Sequence, residues 1–319
     1  MRAFIFPGQG SQAVGMGAAL ADASAVARAV FGEVDEALGQ HLRRLMAEGP
    51  ADELTLTENA QPAIMANAIA TLRVLTQEGG VALADKADYV AGHSLGEYSA
   101  LCAAETFDVA TTARLLKRRG RAMQAAVPVG EGAMAALLGA DVAKAETIAG
   151  AAVDSILAEG GEPLVCTVAN DNDPSQVVIS GHRVAVERAV ALAKELGAKR
   201  AVLLPVSAPF HCSLMEDAAR AMEVALAEAE LRAPLVPVYA NVDAAAVADP
   251  GAIRRLLVEQ VTGRVRWRES VLAMAEAGVT EFVEFGGKVL APMVKRIAPD
   301  VEAVSVVSMD DVEALLKRL

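Results

Sequence analysis

Gly92-His93-Ser94-Leu95-Gly96 is the stretch on which the reading of this chain turns. An apolar run, Tyr89-Val90-Ala91, precedes it, and a helix-forming stretch from Glu97 to Glu105 follows. Small residues around one serine let a strand turn sharply into a helix, which is the G-x-S-x-G nucleophile elbow. The bend lifts the Ser94 hydroxyl clear of neighbouring side chains. It also puts the Leu95 N–H at a helix N-terminus, where developing negative charge is stabilised. The pentapeptide alone is common in sequences; the strand before it and the helix after it give it weight.

Outward from the elbow, short apolar runs alternate with amphipathic helices, which indicates α/β construction around a largely parallel sheet. Strand 2–6 leads into the loop Pro7-Gly8-Gln9-Gly10-Ser11-Gln12, and helices are expected within 15–38 and over 61–78. Strand 88–92 meets the elbow, and helix 108–126 starts at Asp108 as its N-cap. After Gly130 the rhythm changes to strand 133–139, helix 141–158, strands 163–169 and 176–180, helix 182–197 and strand 200–204. The two middle strands flank the turn-rich Asn170-Asp171-Asn172-Asp173-Pro174. Strand-helix-strand-strand-helix-strand is the ferredoxin-like order. The spacing therefore predicts a parallel-sheet core of residues 1–129 and 205–319 with a ferredoxin-like α+β subdomain inserted at 130–204. The remainder returns to helices 213–230, 250–261, 267–277 and 288–297, with strands 235–239, 280–285 and 301–306 and a final helix.

Composition narrows the class. Of the 319 residues, 54% are hydrophobic and only 3% aromatic, so the core is aliphatic and alanine-rich. The mean hydropathy of +0.34 raises the question of a membrane. No segment offers about twenty uninterrupted apolar residues, so that apolarity is assigned to buried elements. Met1 to Phe6 is too short for a signal peptide and reads as a buried first strand. Cys102, Cys166 and Cys212 show no C-x-x-C metal spacing and suggest reduced thiols in the cytoplasm. A formal charge of −12 argues against a nucleic-acid partner, because a phosphate backbone demands a basic face.

A serine nucleophile needs a base, and only four histidines are available. His41, beside Arg43 and Arg44, reads as a surface residue, and His182 as a helix-terminus residue. His93 adjoins Ser94 but faces the other way, because successive strand side chains alternate. His211 stands in the loop Val206-Ser207-Ala208-Pro209-Phe210-His211-Cys212 that follows a strand, where α/β sites form, and is the base by elimination. Hydrolases of this type run serine, acid, histidine, yet no acid between Ser94 and His211 stands out.

Beyond the elbow, Phe6-Pro7-Gly8-Gln9-Gly10-Ser11-Gln12, Lys117-Arg118-Arg119-Gly120 and Pro209-Phe210-His211-Cys212 resemble the malonyl-CoA:acyl carrier protein transacylase family, in its order and spacing. The resemblance extends through Asn241-Val242-Asp243, Val258-Glu259-Gln260 and Lys288-Val289-Leu290, and so covers nearly the whole chain. It implies a hydrolase-like core domain. It also implies Ser94 as the residue malonylated, with His211 as its base and then the acid toward the departing thiol. The Gln260 backbone carbonyl would orient the histidine in place of a carboxylate, which accounts for the missing acid. Backbone N–H groups of Gln9 and Leu95 would form the oxyanion hole, with Gly8 and Gly10 allowing close approach.

The family's substrate carries a free carboxylate, which the Arg119 guanidinium would bind through two parallel N–H bonds. Phe210 and His93 would line the pocket, and Phe210 favours malonyl over methylmalonyl. Gln12 is expected to make a structural hydrogen bond and Cys212 to be a packed thiol. The loop Phe285-Gly286-Gly287-Lys288-Val289-Leu290 is one residue shorter than the family's usual form, which leaves Lys288 without a carried-over role. The implied reaction is ping-pong transfer of malonyl from CoA to acyl carrier protein, with no metal or cofactor. The acidic carrier would dock on basic residues drawn from Arg118, Arg121, Arg264, Arg266 and Arg268. The competing readings are a serine esterase or thioesterase, a non-catalytic thioester-binding protein, and an acyltransferase serving polyketide synthesis.

Overall fold

The computed structural model describes residues 1–206 and 208–319. Among the described residues ten strands form two sheets. β1 (Arg2–Phe6), β2 (Tyr89–Gly92), β7 (Val238–Ala240), β8 (Ala245–Val247), β9 (Glu281–Phe285) and β10 (Glu302–Val306) lie in the order β10-β9-β1-β2-β7-β8. Every adjacent pair is parallel except β7 and β8, which are antiparallel. β1 sits in the middle, and its side chains alternate between two buried clusters. Phe4 and Phe6 join one, Ala3 and Ile5 the other. Burial on both faces is why β1 reads as a continuous apolar run rather than an alternating one.

The second sheet, wholly antiparallel, is built from β3 (Gly132–Leu138), β4 (Cys166–Asp173), β5 (Gln176–His182) and β6 (Arg200–Leu203) in the order β4-β5-β3-β6. Its own core comprises Leu137, Ile148, Ile179 and Val186 among others, with the helices Val142–Ala158 and Arg183–Leu192 packed on it. β4 also bonds to the larger body: Asp171 N–H donates to Val265 O and Val265 N–H to Ala169 O.

Several elements differ from the expectations. Asn170 to Asp173 belong to β4, with two bulges, and the turn shrinks to Pro174-Ser175. Extended backbone survives there because Arg268 neutralises Asp171 and Arg296 neutralises Asp173. The helix expected at 61–78 already starts at Thr57, since the Leu56 carbonyl accepts from Asn59 and Ala60; Pro62 lies inside it. Its last turns widen to a π-helix over Val74–Glu78. Short helices at Leu42–Glu48, Ala51–Thr55 and Leu83–Lys86, and strand β8, carry too few residues for a periodic signal.

Candidate active site

The site gathers at the carboxyl ends of three adjacent strands. The loop after β1 carries Gln9, Ser94 follows β2, and Asn241 follows β7. The turn into the helix Leu95–Ala103 is tight enough to exclude side chains. A Cβ on Gly92 would lie 1.9 Å from the Gly96 backbone, and one on Gly96 would lie 2.2 Å from Phe6 O. Ser94 itself is held at φ 54°, ψ −111°, a conformation costing on the order of 1–3 kcal/mol that the surrounding bonds must sustain. Its N–H donates to Asn241 Oδ1 at 2.7 Å, and Asn241 Nδ2 donates to Gly92 O at 2.7 Å. One asparagine thus ties both sides of the bend.

His211 lies 2.8 Å from Ser94, Nε2 to Oγ, and its Nδ1 lies 2.9 Å from the Gln260 backbone carbonyl. A carbonyl can only accept, so Nδ1 carries the proton and Nε2 presents a lone pair to the serine hydroxyl. Burial, with Arg119 nearby, pushes the imidazole pKa down to about 3, so the ring is neutral at ordinary pH. His211 adopts φ 58°. The strand before it is β6 of the smaller sheet, not a strand of the parallel sheet as the argument from α/β loops assumed. The histidine reaches the serine because the chain crosses back between the two sheets at this point.

Arg119 is 1% exposed and makes no ion pair among the described residues. Its NH1 donates to Gln61 Oε1 at 2.9 Å, and its NH2 to Gln260 Oε1 at 2.9 Å and to Ser94 Oγ at 3.1 Å. Nε is buried without a hydrogen-bond partner, and the guanidinium carbon lies 5.7 Å from the Tyr98 ring centroid. Burial lowers its pKa, as expected for a cation removed from water. The sequence does hold a signal for this placement. Thr112, Leu116, Arg119 and Met123 are buried at helical spacing in Val109–Ala125, so Arg119 sits on an apolar stripe.

These groups face a cavity of about 340 Å³ between the sheets, lined also by Gln9, Leu95, Met134, Asn172, Phe210, Val289 and Leu290. All eight residues singled out from the sequence for the site meet here: seven line it, and Gln260 reaches it from behind through Arg119 and His211. His93 points away from Ser94 to Asn172 Oδ1 at 2.8 Å, and burial lowers its pKa. Gln12 Oε1 accepts from Gly10 N–H, and Cys212 Sγ donates to Pro209 O with its thiol pKa raised by burial. Lys288 lies outside this cavity, on a neighbouring one reached through Gly10 and Val289. His41 and His182 head the helices Leu42–Glu48 and Arg183–Leu192, outside the cavity.

Sequence reasoning missed Asn241 and Glu97 as contributors. Both are buried polar residues, Asn241 in a quoted motif and Glu97 directly after the elbow, and only the fold reveals what they touch. Within the basic run only Arg118 and Arg121 lie on a solvated helix face. Lys117 is buried against Gln40, Asn59 and Glu58. Arg118 pairs with Glu228, Arg121 with Glu58, Arg264 with Glu146 and Glu269, Arg266 with Glu269, and Arg268 with Asp171. Arg264 and Arg266 line a separate cavity of about 650 Å³ that contains none of the site residues. Among the described residues no cluster of His, Cys, Asp and Glu suits a metal ion, and no helix is long and apolar enough to cross a membrane.

Comparison with known proteins bears on what this geometry serves. The family described as "Acyl transferase domain" matches residues 3–296. The malonyl CoA-acyl carrier protein transacylase of Escherichia coli K12 is 46% identical over 302 residues, covering 94% of each chain. The solved acyl-carrier-protein S-malonyltransferase of Bartonella henselae superposes with a TM-score of 0.94 at 52% identity, over 99% of this chain and 98% of that one. A malonyl-transacylase solved in complex with a type II PKS acyl-carrier protein matches with a TM-score of 0.93 at 39% identity, over 100% and 99% of the two chains.

Proposed function

This chain belongs to the acyl transferase family, and from that premise we propose that it moves a malonyl group from malonyl-CoA to the phosphopantetheine thiol of acyl carrier protein, supplying fatty acid elongation. The observation that carries the reading is a buried guanidinium without a carboxylate, 3.1 Å from the hydroxyl that a neutral histidine holds. Leaving a buried charge unpaired costs several kcal/mol, which a substrate carboxylate offsets when it arrives. A hydrolase for uncharged esters has no use for such a residue.

The chemistry follows from the hydrogen bonds. Ser94 Oγ attacks the thioester carbonyl while its proton passes to His211 Nε2. The oxyanion is directed to the Gln9 and Leu95 N–H groups, and the C–S bond breaks as Nε2–H protonates the departing CoA thiol. The carrier thiol then gives its proton to the same nitrogen and attacks the malonyl-serine ester, and Nε2–H returns that proton to Ser94 Oγ as the ester bond breaks. Arg119 holds the distal carboxylate throughout, and Phe210 narrows the pocket beside it. Every proton and electron pair is supplied by Ser94, His211 and the two thiols, so no cofactor or metal enters the scheme. The arginines put forward for carrier docking already have carboxylate partners, so an acidic carrier would exchange with internal pairs. Three buried, unpaired cysteines suit a cytoplasmic enzyme. A second reading, supply of polyketide synthesis, is favoured by the relative solved with a PKS carrier.

Intact-mass analysis after exposure to malonyl-CoA tests the reading. We expect one stable malonyl adduct, lost in Ser94→Ala and discharged by carrier protein. Continuous release of free malonate without an adduct would instead make the protein a thioesterase.

A further inference from the structure

Glu97 has no part in the chemistry above, yet its carboxylate is buried beneath the site, 2% exposed, in the first turn after Ser94. Oε2 accepts two hydrogen bonds, from Asn241 N–H at 3.0 Å and from Gln260 Nε2 at 2.8 Å. The Gln260 amide nitrogen is ringed by acceptors: Glu97 Oε2, Ser94 O at 3.0 Å and Asn241 Oδ1 at 3.4 Å. Its amide oxygen faces the other way and accepts from Arg119 NH2 at 2.9 Å. Reversing the amide would set an NH₂ group against a guanidinium and an oxygen against a carboxylate. The polarity of this one side chain is therefore fixed from behind.

We propose that Glu97 is a positioning residue for recognition of the acyl carboxylate: it locks the Gln260 amide with its oxygen toward Arg119, so that the guanidinium is anchored by a neutral acceptor. The inference rests on Arg119 being the group that binds that carboxylate. Its physical content is a difference between two ways of holding a buried arginine. A carboxylate placed directly on Arg119 would form a charge-assisted pair and compete with the substrate's own carboxylate for the same N–H groups. A glutamate acting through an amide supplies the orientation and some compensating charge while leaving those groups available. Burial raises the Glu97 pKa to about 7, and Oε2 remains an acceptor whether or not the other oxygen carries a proton.

The test compares acylation by malonyl-CoA and acetyl-CoA in five variants, each checked by thermal melting. Glu97→Gln keeps an acceptor oxygen of the same reach, and we expect it to retain the malonyl preference. Glu97→Met fills the space without an acceptor. It is expected to lower the malonyl-over-acetyl ratio about tenfold, chiefly through KM for malonyl-CoA, the scale of one hydrogen bond to a charged group. Gln260→Met leaves the backbone carbonyl on His211 in place and should lower the same ratio, with no further fall in the double variant. That arm stands should Glu97→Met not fold. Equal losses on both donors, or an intact ratio in Glu97→Met or Gln260→Met, would overturn the proposal. Arg119→Ala is the control: a ratio intact there sinks the carboxylate-binding reading itself, whereas a fall there without one in Glu97→Met sinks only the role of Glu97.

Discussion

Arginine meets buried polar groups in two ways in this molecule. Where the smaller sheet meets the larger body, Arg268 and Arg296 each close on an aspartate of β4, Asp171 and Asp173, whose side chains are almost wholly shielded. In the pocket, Arg119 is more deeply buried than either and meets amides and a hydroxyl instead. The first arrangement spends each positive charge on holding two bodies together. The second keeps a positive charge in reserve at a cost in stability. Satisfied charge marks structure here, and on the function proposed above unsatisfied charge marks where a substrate carboxylate binds.

The sharpest way to break that contrast is to remove the charge held in reserve. Replacing buried ionic groups with apolar side chains of similar volume is often neutral or stabilising. Arg119→Met is therefore expected to melt no lower than the parent while its acylation by malonyl-CoA falls on the order of 10³-fold, the scale of a lost buried charge pair. Acetyl-CoA acylation should fall far less. Differential scanning calorimetry beside intact-mass kinetics checks both halves. A variant that unfolds would show that Arg119 is structural in the same sense as Arg268.

The second test uses protons. His211 has a folded pKa of about 3 against an ordinary value of 6.5, so between these values the unfolded chain binds more protons than the folded one. Its contribution to stability is complete above pH 6.5 and is lost as pH falls toward 3, on the order of a few kcal/mol in all. Glu97 acts with the opposite sign. Its pKa is raised from 4.5 to about 7, so its contribution is present below 4.5 and lost as pH rises through 7. The two slopes oppose each other between about 4.5 and 6.5. Chemical denaturation at pH 7.5 and pH 5 should show His211→Gln losing less stability on acidification than the parent. Parallel behaviour of the two proteins would mean the imidazole is not held neutral by burial.

The same contrast explains what the sequence made legible. The elbow was readable because Gly92 and Gly96 are forced by backbone contact, and such constraints leave a local trace. The four strands and two helices of the smaller sheet were readable because period and turn residues agree there. Gln260 was located only through family resemblance, since it orients His211 with its backbone, which no side-chain pattern records. The Asn170–Asp173 segment was misjudged as a turn for a related reason. Aspartate and asparagine disfavour strands until charges distant in sequence neutralise them, and Arg268 and Arg296 lie about a hundred residues or more away. The carboxylate partners of Arg118, Arg121 and Arg268 were not legible either, because they come from other elements.

The mildest expected effect lies at the satisfied end of the comparison. Asp171→Asn removes the charge facing Arg268 but keeps the side chain's size, and the Asp171 N–H bond to Val265 O does not depend on the side chain. Arg268 is 32% exposed on its side chain, so it can turn its guanidinium to water instead of staying buried and unpaired. The loss should then be about 1–2 kcal/mol, below the 3–5 kcal/mol typical when a fully buried partner is stranded. Because β4 also carries Asn172 into the cavity, a loosened β4 would slow acylation, but by the same factor for malonyl and acetyl donors. That equality is the measurement to make. A change in the ratio of the two would mean that the clasp between the sheets also shapes acyl selection, and the division drawn between spent and reserved charge would fail at this site.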